Sequence, residues 1–153
     1  MTAPSDQPRP DAARATAALS LRPAGNRRTC VLHVCTSCRT PDCPREPRES
    51  RTGFRLYHEL RTAVRTSGLD PHVEVRPTEC LSICPRPCGI ALSSQASWSY
   101  LFGDQSPSET VDQIVACLAL YLRAHEGVMP RNARPDRLRA SILGRVPPIK
   151  TAP

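Results

Sequence analysis

The amino-acid sequence predicts a small α/β domain with elements in the order β-α-β-β-β-α. Three observations lead to this. The chain has 153 residues, about the length of one domain. Two segments carry apolar residues at helical spacing, and they alternate with short apolar or alternating segments that read as strands. Two groups of cysteines directly follow the first and second of these strands, so secondary structure and chemistry are in step along the chain.

Val31-Leu-His-Val-Cys35 is a short apolar run and reads as a buried strand. Residues 36–52 form a long loop containing Pro41, Pro44 and Pro47; a loop of that length inside a domain is usually functional or mobile. Residues 53–67 read as a helix, with Tyr57, Leu60 and Val64 at helical spacing and Leu56 and Ala63 beside them. Gly68 and then Pro71 supply the chemistry of a helix C-terminus. Residues 72–79 alternate Val73 and Val75 with His72, Glu74 and Arg76, the pattern of a half-buried strand that runs into Cys80.

Residues 89–94 and 97–102 read as a β-hairpin, with Trp98, Tyr100 and Phe102 on one face, expected to pack under a helix. Ser106-Pro-Ser-Glu109 reads as a capping box, with Ser106 as N-cap, Pro107 at the first helical position and Glu109 at the third. Val111, Ile114, Val115, Leu118 and Leu122 then form an apolar stripe, which Gly127 and Pro130 end.

Composition separates a middle from two ends. There are 17 prolines, about twice the average share. Twenty arginines stand against one lysine, Lys150, an imbalance we attribute to genome base composition. The net charge of +7 divides into +3 for residues 1–28, −1 for 29–127 and +5 for 128–153. A basic face across the fold, of the kind that grips nucleic acid, is therefore not supported. Residues 1–28, rich in Pro, Ala and Arg without apolar periodicity, read as disordered. Residues 29–127 form the expected domain, and 128–153 a basic Arg/Pro-rich extension. That extension is read as a solvated tail, or as a contact for an acidic partner or RNA; Leu138, Ile142 and Leu143 would allow it to pack on the domain.

No run of about 18 apolar residues exists to make a membrane helix. The N-terminus has no basic region followed by an apolar one, and Asp6 and Asp11 argue against a transit peptide. The expected compartment is the cytoplasm, where thiols stay reduced. Eight cysteines there point to metal or redox chemistry rather than to a disulfide framework.

Six of the eight cysteines fall into two groups: Cys35, Cys38 and Cys43 after the first strand, and Cys80, Cys84 and Cys88 after the second. A helix descending roughly 22 Å and a strand climbing back roughly 26 Å bring both groups to one end of a parallel strand pair. The carboxyl ends of parallel strands are where such folds hold ligands. Crowded thiolates repel one another and favour a cation. Three readings follow. A [2Fe–2S] cluster takes four cysteine ligands, and its anionic charge suits the nearby helix N-terminus and the loop residues Arg39 and Arg86. A zinc ion can also take four thiolates, and Cys35-x2-Cys38 is a good half-site. The third reading is metal-free dithiol redox chemistry at Cys35-x2-Cys38, although the helix starts too late to activate the attacking thiol.

The order strand-Cys, helix, strand-Cys80-Leu-Ser-Ile-Cys84, hairpin, helix resembles the thioredoxin-like [2Fe–2S] ferredoxins, including the small cluster-carrying subunit of respiratory complex I. The resemblance implies a thioredoxin-like fold, with Cys35 as first ligand and the Cys-x3-Cys pair Cys80 and Cys84 as third and fourth. The second ligand is then Cys38 or Cys43, since Cys38-x4-Cys43 has a spacing found in those ferredoxins. Cys88 is a further candidate. The chain is also similar, over about residues 29–148, to an uncharacterised bacterial family of predicted metal-binding proteins. The residues that carry this are Val34-Cys-Thr-Ser-Cys-Arg39, Gly53, Cys80 to Cys88, Trp98-Ser-Tyr100, Phe102-Gly-Asp104, Arg134-Pro-Asp-Arg-Leu-Arg139 and Arg145-Val-Pro-Pro148.

The expected centre is thus a [2Fe–2S] cluster, or alternatively zinc, on Cys35, Cys38, Cys80 and Cys84, with Cys43 and Cys88 in reserve. The expected role is electron transfer or metal handling with a redox partner protein, rather than catalysis on a small substrate. His33 reads as an ordinary strand histidine, Cys117 as core and Cys30 as a small apolar residue. There is no Ser-His-Asp set, paired carboxylates or Gly-rich phosphate loop.

Overall fold

A computed structural model describes residues 28–150. The expectation of disorder for residues 1–28 therefore lies outside the described residues, Arg28 excepted. The elements are β1 (Cys30–Cys35), α1 (Thr52–Thr66), β2 (Val73–Thr78), β3 (Ile90–Ser93), β4 (Ser99–Phe102), α2 (Val111–Arg123), α3 (Asp136–Ala140) and β5 (Ile142–Val146), with short 3₁₀ turns between some of them. They build a five-stranded sheet in the order β2-β1-β3-β4-β5. β1 and β2 are parallel, and every other neighbouring pair is antiparallel. This is the α/β fold, with a thioredoxin-like core, that the element order predicts.

Alternation decides which face is covered. Leu32, Val34, Ile90, Leu92, Tyr100 and Phe102 share one face and are all buried. Helix α1 lies over β1 and β2 and against α2, turning Leu56, Leu60 and Val64 inward. Tyr57, expected in that stripe, is only partly buried, with Arg61 over its ring. The helix ends in a Schellman motif: the Leu69 and Gly68 amides donate to Val64 and Arg65, and Gly68 takes φ +72°, which favours glycine. Both sheet edges are blunted. β2 carries Pro77, and β5 carries an irregular register with β4 and runs into Pro147 and Pro148.

The aromatic stripe packs under α2 as expected, with Tyr121 edge-on to Tyr100 at 6.1 Å. The capping box does not form. Helix α2 begins at Val111, and 107–110 is a turn closed by the Thr110 hydroxyl, which accepts the Ser106 amide at 3.0 Å and donates to the Ser106 carbonyl. Ser106 Oγ accepts the Ser108 amide and pairs with the Ser108 hydroxyl, and the Glu109 carboxylate is drawn to Arg137 instead of back to its own backbone.

Residues 128–150, read from sequence as an extension, contribute α3 and the fifth strand. Met129 and Leu138 are fully buried. The Tyr100 hydroxyl ties this segment down, donating to the Gly127 carbonyl at 3.0 Å and accepting the Met129 amide at 2.9 Å. Its arginines are largely engaged within the fold: Arg134 on the Met129 carbonyl and over Tyr100, Arg137 on Glu109, Arg139 on Asp136 and Arg145 over Trp98. Among the described residues no helix is long and apolar enough to cross a membrane.

Candidate metal centre

The parallel pairing of β1 with β2 sets Cys35 opposite Thr78, so the two cysteine-bearing loops leave the sheet side by side. The Thr36 amide donates to the Thr78 carbonyl at 2.8 Å and the Cys35 amide to the Gly89 carbonyl at 3.0 Å. The Cys35 thiol lies 3.6 Å from the Glu79 carbonyl, and the nearby Leu81 amide acts to lower its pKa. Glu79 and Leu81 flank Cys80, so the first strand end and the second loop meet.

Gly53 brings the helix in close. Its amide donates to the Cys38 carbonyl at 2.9 Å, and a Cβ there would stand 2.1 Å from the Cys35 carbonyl oxygen and 3.1 Å from the Cys38 Cβ. Only a residue without a side chain lets the first turn of α1 seat against the Cys35–Cys38 turn. Thr52 adds a hydroxyl that accepts the Thr40 amide, and Arg48 donates to the Thr36 hydroxyl.

In the second loop, side chains alternate in and out. Leu81 and Ile83 turn toward Gly89, where a Cβ would meet the Ile83 Cδ1 at 2.1 Å; Cys80, Ser82 and Cys84 are exposed. Ser82 has φ 56° and donates its amide to the Cys80 sulfur at 3.2 Å. Cys88 is fully buried, and its backbone exchanges hydrogen bonds with Gln105. Next to it, the Arg86 carbonyl accepts the Asp104 amide, its guanidinium binds the Asp104 carboxylate at 2.6 Å, and Gly103 leaves room for its side chain.

In the buried part of this site Cys38 is influenced by both Cys35 and Cys88, and the nearby Gly89 amide acts to lower its pKa. The contact with Cys38, followed by burial, holds the Cys35 thiol far above the usual thiol range. At Cys38 the bond from Cys35 pulls down, but Cys88 and burial together outweigh it and the thiol is pushed up to about 11. Both sulfurs therefore hold their protons at neutral pH until something displaces them.

Of the six sequence candidates, Cys35, Cys38 and Cys88 are buried where the two loops meet, while Cys80 and Cys84 are both exposed on the second loop. Cys43 points elsewhere, its thiol 3.1 Å from the Ser50 carbonyl. Among the described residues, no three His, Cys, Asp or Glu side chains form a finished metal site. The two arginines expected near the thiols are engaged, Arg39 on the Cys43 carbonyl and Arg86 on Asp104. His33 is held by Ser93 and Thr78 across the strands, and burial lowers its pKa. Cys117 and Cys30 are core residues, both thiols pushed up to about 12 chiefly by burial. The pairing of Cys88 with Gln105 was not anticipated; the Gly103-Asp-Gln105 run after β4 is its only trace in the sequence.

The fold and the thiol-lined rim define the class, an α/β protein of thioredoxin-like architecture. A solved structure that resembles it agrees. A thioredoxin-like [2Fe–2S] ferredoxin from Aquifex aeolicus superimposes with a TM-score of 0.52 at 18% identity, over 79% of this chain and 96% of that one. A second structure of the wild-type ferredoxin gives 0.49 at 16% identity, over 76% and 98%. At 18% identity the first of these establishes the fold alone. No curated protein matches the sequence. Residues 32–148 match the family described as "Protein of unknown function (DUF1636)", and the chain belongs to that family. Its description makes no statement about metals.

Proposed function

We propose that this protein carries a cysteine-ligated metal centre where β1 and β2 end, that the centre is a [2Fe–2S] cluster, and that it serves electron transfer or metal handling. The observation that carries this reading is the Cys35 sulfur meeting the second cysteine loop 3.6 Å from the carbonyl of Glu79, the residue before Cys80. Cys35, Cys38 and Cys80 would hold the centre, with one further thiol from the second loop. Sulfur-only donors fit iron–sulfur clusters and other soft metal ions.

When bound, the cluster supplies a one-electron couple. The chain's own residues prepare for a negative charge. Nearby backbone amides of Ser37, Leu81 and Gly89 act to lower the pKa values of the Cys35 and Cys38 thiols, and the N-terminus of α1 abuts the loop through Gly53. Burial of Cys35 and Cys38 keeps water from half of the ligand set, while the exposed 80–84 rim is an edge that a cytoplasmic redox partner can approach. The raised Cys35 thiol argues against the dithiol alternative, because exchange needs a thiolate.

Anaerobic purification followed by visible absorption and metal analysis tests the reading. The expected result is a red-brown protein with about two irons and two sulfides per chain, lost in both Cys35→Ser and Cys80→Ser. A colourless protein holding one zinc overturns the cluster in favour of a zinc site. A metal-free protein in which Cys35→Ser alone abolishes disulfide exchange overturns the metal centre altogether.

A further inference from the structure

Resting on that reading, we propose that Gln105 is a positioning residue for the second cysteine loop and that it works by tying the loop to the C-terminal segment. Residues 80–88 form neither strand nor helix, so their path depends on where the two ends are fixed. Strand β2 fixes the first end. The second end lands on the three residues that follow β4. The Asp104 amide donates to the Arg86 carbonyl at 2.9 Å, and Cys88 and Gln105 exchange both backbone hydrogen bonds, at 3.2 and 3.0 Å. The same run is held from its other side by the residue before β5. The Gly103 amide donates to the Ser141 carbonyl at 3.0 Å, and the Gln105 side-chain amide donates to the Ser141 hydroxyl at 2.9 Å and to the Gly103 carbonyl. One buried side chain therefore joins three stretches that are remote in sequence: 86–88, 103–105 and 141.

The partners of the amide fix its orientation. With its two ends exchanged, the oxygen would face the Gly103 carbonyl oxygen. As it stands, Gln105 Oε1 is buried and has no donor among the described residues. An unpaired buried acceptor costs stability, and an apolar side chain of similar length avoids that cost. Filling the core is therefore a poor account of a glutamine here, whereas its two donated bonds give it a role: they stiffen the residue whose backbone grips Cys88. The ion pair of Arg86 with Asp104 is a weak substitute, because its side chains are 43% and 46% exposed and such pairs contribute little. From Cys88 the chain passes to Gly89, whose carbonyl accepts the Cys35 amide. A shift at Gln105 is thus passed to the spacing between the two cysteine groups. Residues that orient ligands from behind in this way tune metal affinity without touching the metal.

The test uses Gln105→Met, which fills the same space without the amide, and Ser141→Ala, which removes one of its acceptors. The first readout is alkylation of the metal-free full chain by iodoacetamide under native conditions, followed cysteine by cysteine with peptide mass mapping. Cys30 and Cys117, buried elsewhere in the core, serve as internal references. In Gln105→Met, which loses two hydrogen bonds, Cys88 is expected to react about tenfold faster while the two reference thiols keep their wild-type rates. Ser141→Ala is expected to give a smaller rise at Cys88 alone. The second readout is cobalt(II) titration followed by sulfur-to-cobalt absorption, in which Gln105→Met is expected to bind about tenfold more weakly. Unchanged reactivity of Cys88 overturns the proposal. So does an equal rise at all three thiols, the sign of a general loss of stability, and so does unchanged cobalt affinity. If circular dichroism shows Gln105→Met unfolded, Ser141→Ala decides by the same criteria. A wild-type protein that binds neither iron nor cobalt overturns the parent reading, while the alkylation pattern still judges the role of Gln105.

Discussion

Gly53→Ala tests whether the helix must touch the cysteine loop. In an ordinary helix this change stabilises by roughly 1 kcal/mol, because alanine loses less backbone freedom. Here the new Cβ would stand 2.1 Å from the Cys35 carbonyl oxygen, a backbone atom pinned in turn by the sheet, and 3.1 Å from the Cys38 Cβ. Relief requires α1 to withdraw by more than an ångström. That costs about 1–3 kcal/mol of overpacking and about 1 kcal/mol for the stretched Gly53–Cys38 hydrogen bond. After the propensity gain is set against these costs, the net loss is about 2 kcal/mol, a fall in Tm of roughly 4–8 °C for a chain of this size. The assay is thermal and urea unfolding of the metal-free protein beside Gly144→Ala, where nothing lies within 4 Å of the added Cβ and no loss is expected. If Gly53→Ala matches or exceeds wild-type stability, the close seating of helix on loop is refuted.

Three further outcomes follow from the same contacts. Gly89→Ala meets chiefly the flexible end of Ile83, so it should loosen the 80–84 loop and reduce metal loading while lowering Tm less than Gly53→Ala; an equal fall in Tm with unchanged loading would contradict the seating of Ile83 on Gly89. Leu138→Ala should cost about 2–5 kcal/mol in urea unfolding, as expected for a fully buried leucine; a loss under 1 kcal/mol would mean that residues 128–150 do not share the core. Cys30 and Cys117 keep their protons in the folded state up to about pH 12, but release them near pH 8.5 once unfolded. Their contribution is present below pH 8.5 and is lost as pH rises toward 12, by up to about 1.4 kcal/mol per pH unit each. Replacing Cys117 with alanine should therefore flatten the alkaline decline in urea-measured stability; an unchanged slope would count against its burial as a thiol.

The local elements were legible because local chemistry determines them. Alternating valines mark β2, the 56/60/64 repeat marks α1, and Gly68 with the residues around it writes a helix stop that needs no distant partner. The convergence of two cysteine loops was legible too, because a parallel β-α-β unit has little choice about where its strands end. The start of α2 was misread for a physical reason. Glu109 has a stronger partner in Arg137, which lies far along the chain, and a capping rule based on neighbours cannot register that competition.

From residue order alone, this protein is an α/β chain whose thiols gather at one rim, since strand length, helix length and handedness follow from backbone geometry. Only the tertiary structure sorts those thiols into buried and exposed, and it does so through contacts between residues remote in sequence. Gly53 admits the helix to the loop, Gly89 receives Ile83, Gln105 holds Cys88, and the Tyr100 hydroxyl draws in the last strand. Those contacts depend on space and on hydrogen-bond partners that exist only once the sheet has formed.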